Sequence, residues 1–261
     1  MKKLLSIMLM MPLCVWAERE SFSSPDRFRE FSDQQGRTFE ARIVDVNERQ
    51  GWVMLETKKG RRSRIKPDVL HESDQAYCEN WNRCRRFLSS SGLRFSADKR
   101  VGKVWNESDD GIVNNRYEET YYECVLQNSA GIDLEQVIIQ YCVYWGQETI
   151  SDDEEVERVR SLDKEIQLDI LKEREKYAFD TEIALLLCRT LDGGFYYAGG
   201  APSTQNARML GIWIRVYFFS GESMVAWREF CHPKRLIEKR EWLGAGRPKE
   251  YRKKGRREND E

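Results

Sequence analysis

The sequence predicts a mainly β protein, with a small SH3-like barrel carrying a short C-terminal helix ahead of an immunoglobulin-like β-sandwich. Three observations carry that expectation. Apolar and polar residues alternate through parts of 39–65 and again between 117 and 230, the period of half-buried strands. Gly, Asn and Ser clusters separate these runs at hairpin spacing. The clearest helical run, near 74–84, lies between the two sets of strands.

The chain opens Met1-Lys2-Lys3, is apolar from Leu4 to Val15, and offers Val15-Trp16-Ala17 before Glu18. A basic start, a short apolar stretch and small or aliphatic residues at the cleavage positions make the pattern of a secretory signal. The apolar stretch is too short to span a bilayer. Residues 1–17 are therefore expected to leave as a signal peptide, with an uncleaved anchor as the alternative. The mature protein is expected in the periplasm or outside the cell, with no membrane span. Polar residues 18–28, containing Ser-Phe-Ser-Ser-Pro, are expected to form a flexible leader.

The first domain is expected over residues 29–88. A short strand lies near Phe31, Gly36 turns the chain, and Phe39, Ala41 and Ile43 alternate with Glu40 and Arg42. The phase changes at Val44 and Val46, which predicts a bulge. Residues 47–51 turn into Trp52-Val53-Met54-Leu55, Lys59-Gly60 turns into Arg62 to Ile65, and Pro67 ends the pairing. Ser73 is the expected N-cap of a helix with Ala76, Tyr77, Asn80, Trp81 and Cys84 on one face. So small a unit buries little surface alone, so Tyr77 and Trp81 are expected to close the barrel's open end. Ser89-Ser90-Ser91-Gly92 marks the boundary.

The sandwich is expected over residues 93–243. Residues 117–127 alternate, Asn128-Ser129-Ala130-Gly131 turns, and Val137, Ile139, Tyr141 and Val143 alternate again. Acidic residues 151–157 suit a solvated loop. Between 156 and 171 both a helix and a strand are open; a strand over 165–171 is favoured, then a turn at 172–176 and a strand through 179–187. Leu191-Asp192-Gly193-Gly194-Phe195-Tyr196-Tyr197-Ala198-Gly199-Gly200 reads as a hairpin. Residues 211–219 form the clearest strand, with Ile212, Ile214, Val216 and Phe218 toward the core, and 220–222 turn into a strand over 224–230. Charged residues 244–261 are expected to be a disordered tail.

The order from Arg29-Glu30-Phe31-Ser32-Asp33-Gln34-Gln35-Gly36-Arg37-Thr38-Phe39-Glu40-Ala41-Arg42, through two basic β-segments, into Asp74-Gln75-Ala76-Tyr77 resembles the Sla-one homology domain 1. That small barrel is found in a yeast endocytic adaptor and in exported bacterial proteins. Residues 122–128, 191–197 and 211–217 resemble the β-sandwich that often follows it there. The resemblance implies a binding fold for short peptide motifs and brings no catalytic residue.

Charge argues against nucleic acid as partner. Taking Lys2 and Lys3 from 43 basic residues leaves 41 against 44 acidic, a net charge of −3. Charged residues make up 33% of the chain and the mean hydropathy is −0.70, which suits two modest domains better than one large core. Six cysteines remain after Cys14 leaves: Cys78, Cys84, Cys124, Cys142, Cys188 and Cys231. An exported protein could pair them, and free buried thiols are the alternative. Cys78 and Cys84 are six apart in the helical run, which turns them to different faces. Cys124 shares a face with Tyr122 and Leu126, whereas Cys142 is out of phase with Tyr141 and Val143.

No chemical motif emerges. The chain has two histidines, His71 and His232, and no Cys-x-x-Cys, so neither a metal nor another cofactor is expected. Gly221-Glu222-Ser223-Met224-Val225 lacks the last glycine of a nucleophile elbow. Cys231 and His232 are strand neighbours and point to opposite faces. Asp109-Asp110 and Asp152-Asp153-Glu154-Glu155 suit solvated loops, and the glycine pairs lack a P-loop lysine.

Two binding surfaces remain. One is the basic hairpin with Lys58, Lys59, Arg61, Arg62, Arg64 and Lys66, suited to an acidic peptide, an anionic polysaccharide or a lipid headgroup, or simply protecting a sheet edge. The other is the strand face with Trp213, Arg215, Tyr217 and Phe219, which suits sugar rings or a peptide if nothing covers it. The expected function is non-enzymatic: a protein- or peptide-binding adaptor in the cell envelope. A carbohydrate-binding module on the Trp213 face and an exported hydrolase are the alternatives.

Overall fold

A computed structural model describes residues 27–109, 111–151, 154–195, 203–220 and 225–244. The expected signal peptide over 1–17, most of the expected leader and nearly all of the expected charged tail lie outside the described residues, as do residues 196–200 of the expected glycine-bracketed hairpin and residues 221–222 of the expected turn. The fold is mainly β, built from three antiparallel sheets and one long helix.

The first sheet joins β1 (Arg29–Ser32), β2 (Thr38–Asn47), β3 (Trp52–Thr57) and β4 (Arg62–Ile65) in series. The β2–β3 register shifts between Ile43 and Asp45, at the Val44 phase change. Among the described residues no ladder joins β1 to β4, so the sheet is open where a closed barrel was expected. Strand β4 is only four residues long, and Pro67, lacking an amide hydrogen, starts a 3-10 turn instead of further pairing. A single bridge between Asp33 and Leu70 draws the open ends together.

Helix α1 (Glu72–Leu88) starts one position before the expected cap. His71 is the N-cap: its Nδ1 accepts from the Ser73 amide at 3.4 Å and meets Ser73 Oγ at 2.9 Å. Asp74, Cys78, Trp81, Asn82, Cys84 and Phe87 are buried, more than half the helix circumference, while Ala76 is exposed. Two surfaces explain so wide an arc. Tyr77 meets Phe31 of the first sheet edge-on at 6.0 Å, and Phe87 stacks on Phe218 of the second half at 5.3 Å.

The second half holds two sheets. One runs β5 (Leu93–Asp109), β6 (Val113–Asn128), β10 (Ala184–Leu191) and β11 (Thr204–Gln205), with β9 (Lys176–Asp180) beside the other end of β6. The other has the order β13 (Val225–His232), β12 (Ala207–Phe219), β7 (Leu134–Ser151) and β8 (Glu154–Leu171). The ambiguous segment is thus one 18-residue strand paired along β7, and the strand expected over 179–187 breaks into β9 and β10 at residues 181–183. Thr181 Oγ1 accepts from the Tyr122 amide at 3.0 Å and holds that break.

The two sheets pack face to face. Tyr122, Cys124 and Leu126 on one meet Ile139, Tyr141, Val143, Ile212, Ile214, Val216 and Phe218 on the other, all buried in one cluster that continues into the first sheet and α1. Buried Asn128 ties the ends of these sheets: its Nδ2 donates to the carbonyls of Ile132, Leu171 and Lys172, and its Oδ1 accepts from Ala130 N. Arg228 on β13 donates to Ser89 O at 2.7 Å, with Phe87 O and Leu93 O at 3.5 and 3.4 Å. A cation among the last carbonyls of α1 complements the negative end of the helix.

After β13 the chain turns through α2 (Leu236–Lys239) and returns over the outer face of β7 and β12. Gly211 permits this close approach. Its φ is +152°, and a Cβ there would lie 2.5 Å from His232 O and 2.9 Å from Pro233 Cδ.

Candidate functional site

The basic hairpin is the exposed one of the two predicted surfaces. Lys58, Lys59, Arg61, Arg62, Arg64 and Lys66 are all exposed on or beside β4, which is an edge of the first sheet. Alternation turns Ile65 toward the core and Arg62 and Arg64 to the other face. Two of the six cations already have carboxylates. Lys58 pairs with Glu40 at 2.7 Å, and Arg62 Nε donates to Glu56 Oε2 at 2.7 Å. Glu56 Oε1 accepts from Arg42 at 2.8 Å, and the hydrogen bonds from Arg62 and Arg42 hold its carboxyl below the usual range. The Arg64 guanidinium lies 4.9 Å from the Trp52 ring centroid. Lys59, Arg61, Arg64 and Lys66 form no ion pair among the described residues. The result is an open strand edge bordered by unneutralised positive charge.

The aromatic strand face is a different case: the condition for its use as an open binding surface, that nothing covers it, is not met. Trp213 is 6% exposed, Tyr217 1% and Phe219 7%. Two covers account for this. At one end Trp242 of the returning C-terminal segment sits edge-on to Trp213 at 5.6 Å, with Leu236 beside them. At the other, Trp227 of β13 stacks on Tyr217 at 6.2 Å. Arg215 lies between, its guanidinium 4.3 Å from the Trp242 ring centroid, 5.5 Å from Trp227 and 5.7 Å from Trp213. Its Nε donates to Glu229 Oε1 at 2.6 Å. Three indoles and a carboxylate thus enclose one cation. A sugar ring stacking on Trp213 would need the surface that Trp242 occupies.

Trp227 and Trp242 were missed in the sequence because their partners are distant along the chain. Period-2 alternation places Trp227 opposite Tyr217 once β12 and β13 are paired, but nothing local brings Trp242 back. A second missed aromatic pair is Trp105 with Tyr117, stacked across β5 and β6 at 5.1 Å with Lys103 Nζ 5.1 Å from the Trp105 centroid.

The groups weighed for chemistry are scattered. Cys231 faces the Trp213 cluster, while His232 meets Tyr122 at 6.3 Å on the opposite side of the strand. The six cysteines among the described residues are all free thiols. Burial pushes Cys78, Cys84 and Cys124 up to about 12, which suppresses the reactive thiolate. Among the described residues no three His, Cys, Asp or Glu side chains converge where they could hold a metal ion. No helix of the described residues is long and apolar enough to cross a membrane. Trp213 Nε1, like Arg42 Nε and Tyr77 Oη, is a buried donor that meets no acceptor among the described residues, a deficit that costs about 1–3 kcal/mol.

No family model and no curated protein matches the chain. Among solved structures, a Bacteroides uniformis beta-glucuronidase 2 covalently bound to cyclophellitol-6-carboxylate aziridine matches over 54% of this chain at 14% identity and a TM-score of 0.23. The match spans 12% of that enzyme's chain, and a score this low says nothing of shared function.

Proposed function

We propose that this chain is a non-enzymatic binding protein of the cell envelope, which holds an acidic, extended segment of another protein against the free edge of β4. The first unit is read as an SH3-like module of the Sla-one homology type, and the second as an immunoglobulin-like sandwich that carries it. The observation that supports this reading most is the edge itself. Strand β4 has no neighbour on one side among the described residues, and Lys59, Arg61, Arg64 and Lys66 around it lack carboxylate partners. An added strand gains main-chain hydrogen bonds along such an edge, and acidic side chains on it gain from the surrounding cations. Export is part of the proposal. It rests on the basic start and short apolar stretch of residues 1–17.

The test is fluorescence anisotropy with a labelled peptide of alternating Glu and Val, against a Lys and Val control. The acidic peptide is expected to bind and the control to fail. Reversing Arg61→Glu and Lys66→Glu together is expected to weaken binding roughly ten-fold or more, with the melting curve unchanged. Equal binding of both peptides, or indifference to the double reversal, would sink the reading. Intact mass of the exported protein is expected to begin at Glu18; a product retaining Met1 contradicts the envelope assignment.

A further inference from the structure

Residues 240–244 cross the outer face of β7 and β12 as a strap, and they are held there the way a peptide ligand is held. The Tyr144 hydroxyl donates to Glu241 O at 3.0 Å and accepts from Leu243 N at 3.1 Å. One side chain thus grips the backbone on both sides of Trp242 without reading residues 241 and 243, whose side chains are solvent-exposed. Between those two grips the Trp242 indole enters the recess, edge-on to Trp213 and under the Arg215 guanidinium that Glu229 fixes. Gly244 closes against the ring: a Cβ there would lie 2.6 Å from Trp242 Cζ2.

We propose that this outer face is a second peptide-binding site, which the chain keeps shut with its own C-terminal strap and which, when open, takes an extended peptide presenting a tryptophan. The strap is the template for the ligand: main-chain polar groups on either side of one indole. A bare sheet face would offer neither the backbone clamp nor the caged cation. Two features make the strap displaceable. It is a short segment with exposed side chains at 241 and 243, so its hold is concentrated on the Trp242 indole and the Tyr144 hydroxyl, both of which a competing peptide with a tryptophan can engage. It also leaves Trp213 Nε1, a donor on a residue more than nine-tenths buried, without an acceptor among the described residues. A peptide that supplies a carbonyl there gains a bond the strap does not make. In cis the strap has a high effective concentration, which holds the site closed until such a competitor arrives. The inference is independent of the β4 edge and survives its failure.

Cys142 supplies the readout. It lies fully buried beneath the strap, whereas Cys124 lies between the two sheets and serves as the internal control. In the full-length chain, Trp242→Ala is expected to speed labelling of Cys142 by a thiol reagent about ten-fold or more, with Cys124 unchanged. Adding a peptide of the sequence of residues 238–245 is expected to restore protection of Cys142, and the same peptide with alanine for the tryptophan is expected to fail. Should Trp242→Ala not fold, Trp242→Phe keeps an apolar ring and is expected to speed Cys142 alone by a smaller factor. Acceleration of both thiols together, acceleration of neither, or equal protection by the two peptides overturns the proposal.

Discussion

Asn128 carries the sharpest prediction about what holds the second half together. It is fully buried, and its amide donates to Ile132 O at 2.8 Å, Leu171 O at 2.9 Å and Lys172 O at 3.0 Å while Oδ1 accepts from Ala130 N at 2.9 Å. Two hydrogens serve three carbonyls, so the four contacts amount to about three full hydrogen bonds. At a net 0.5–1.5 kcal/mol each, with Leu171 O left unsatisfied in the interior, Asn128→Ala is expected to cost about 3–5 kcal/mol. Urea unfolding followed by circular dichroism measures it, as a lower midpoint at an unchanged slope. A loss below about 1 kcal/mol would refute the reasoning, because it would mean water replaces the side chain without penalty.

Asn128→Asp separates donor from acceptor. The variant keeps the bond from Ala130 N and sets a carboxylate against three carbonyl oxygens, so at neutral pH it is expected to be less stable than the alanine variant. Burial and those carbonyls favour its protonated form and raise its folded pKa above the unfolded value of about 3.9. The deficit is therefore smallest below pH 4 and grows as pH rises toward the folded pKa. A deficit flat across that range would contradict the account.

Three further outcomes follow from the geometry. Gly211→Ala is expected to cost roughly 2–4 kcal/mol, since the new Cβ meets His232 O at 2.5 Å in a backbone conformation that suits glycine; a neutral substitution would mean the chain does not turn there. Arg228→Ala is expected to cost about 1–3 kcal/mol and to loosen α1 from β13, visible as faster hydrogen exchange at residues 84–93; exchange as slow as in the parent protein would refute the clamp. Native protein at pH 8 is expected to react with a thiol reagent at half-buried Cys188 and Cys231 first and to resist at Cys78, Cys84 and Cys124, where burial disfavours the thiolate; rapid labelling of all six would contradict the burial.

Local periodicity made the strands legible. Ile212, Ile214, Val216 and Phe218 are all fully buried, as their alternation requires, and the bulge falls where the β2 pattern changes phase. Cys124 and Cys142 face different cores for the same reason. Long-range packing was less legible. The expected face of α1 holds at Trp81 and Cys84 but not at Ala76, because two separate surfaces bury the helix and a wide buried arc blurs the 3.6-residue signal. Val159 and Leu162 suited a helix with Ile166 and Ile170, yet an 18-residue ladder with β7 makes them one strand. Coverage of the Trp213 face was an open alternative, but its cover was not legible, because Trp242 lies 29 positions further on. Alternation identifies which residues share a face; it does not say what lies on that face.

Hydrogen exchange at residues 62–65, with and without the acidic peptide, tests the proposed binding edge most directly. Added pairing along β4 is expected to slow exchange of the amides that point away from β3 by roughly ten-fold at saturation, and the effect is expected to fade as salt rises. Peptide that binds while β4 exchange stays unchanged would place the ligand elsewhere and contradict the account.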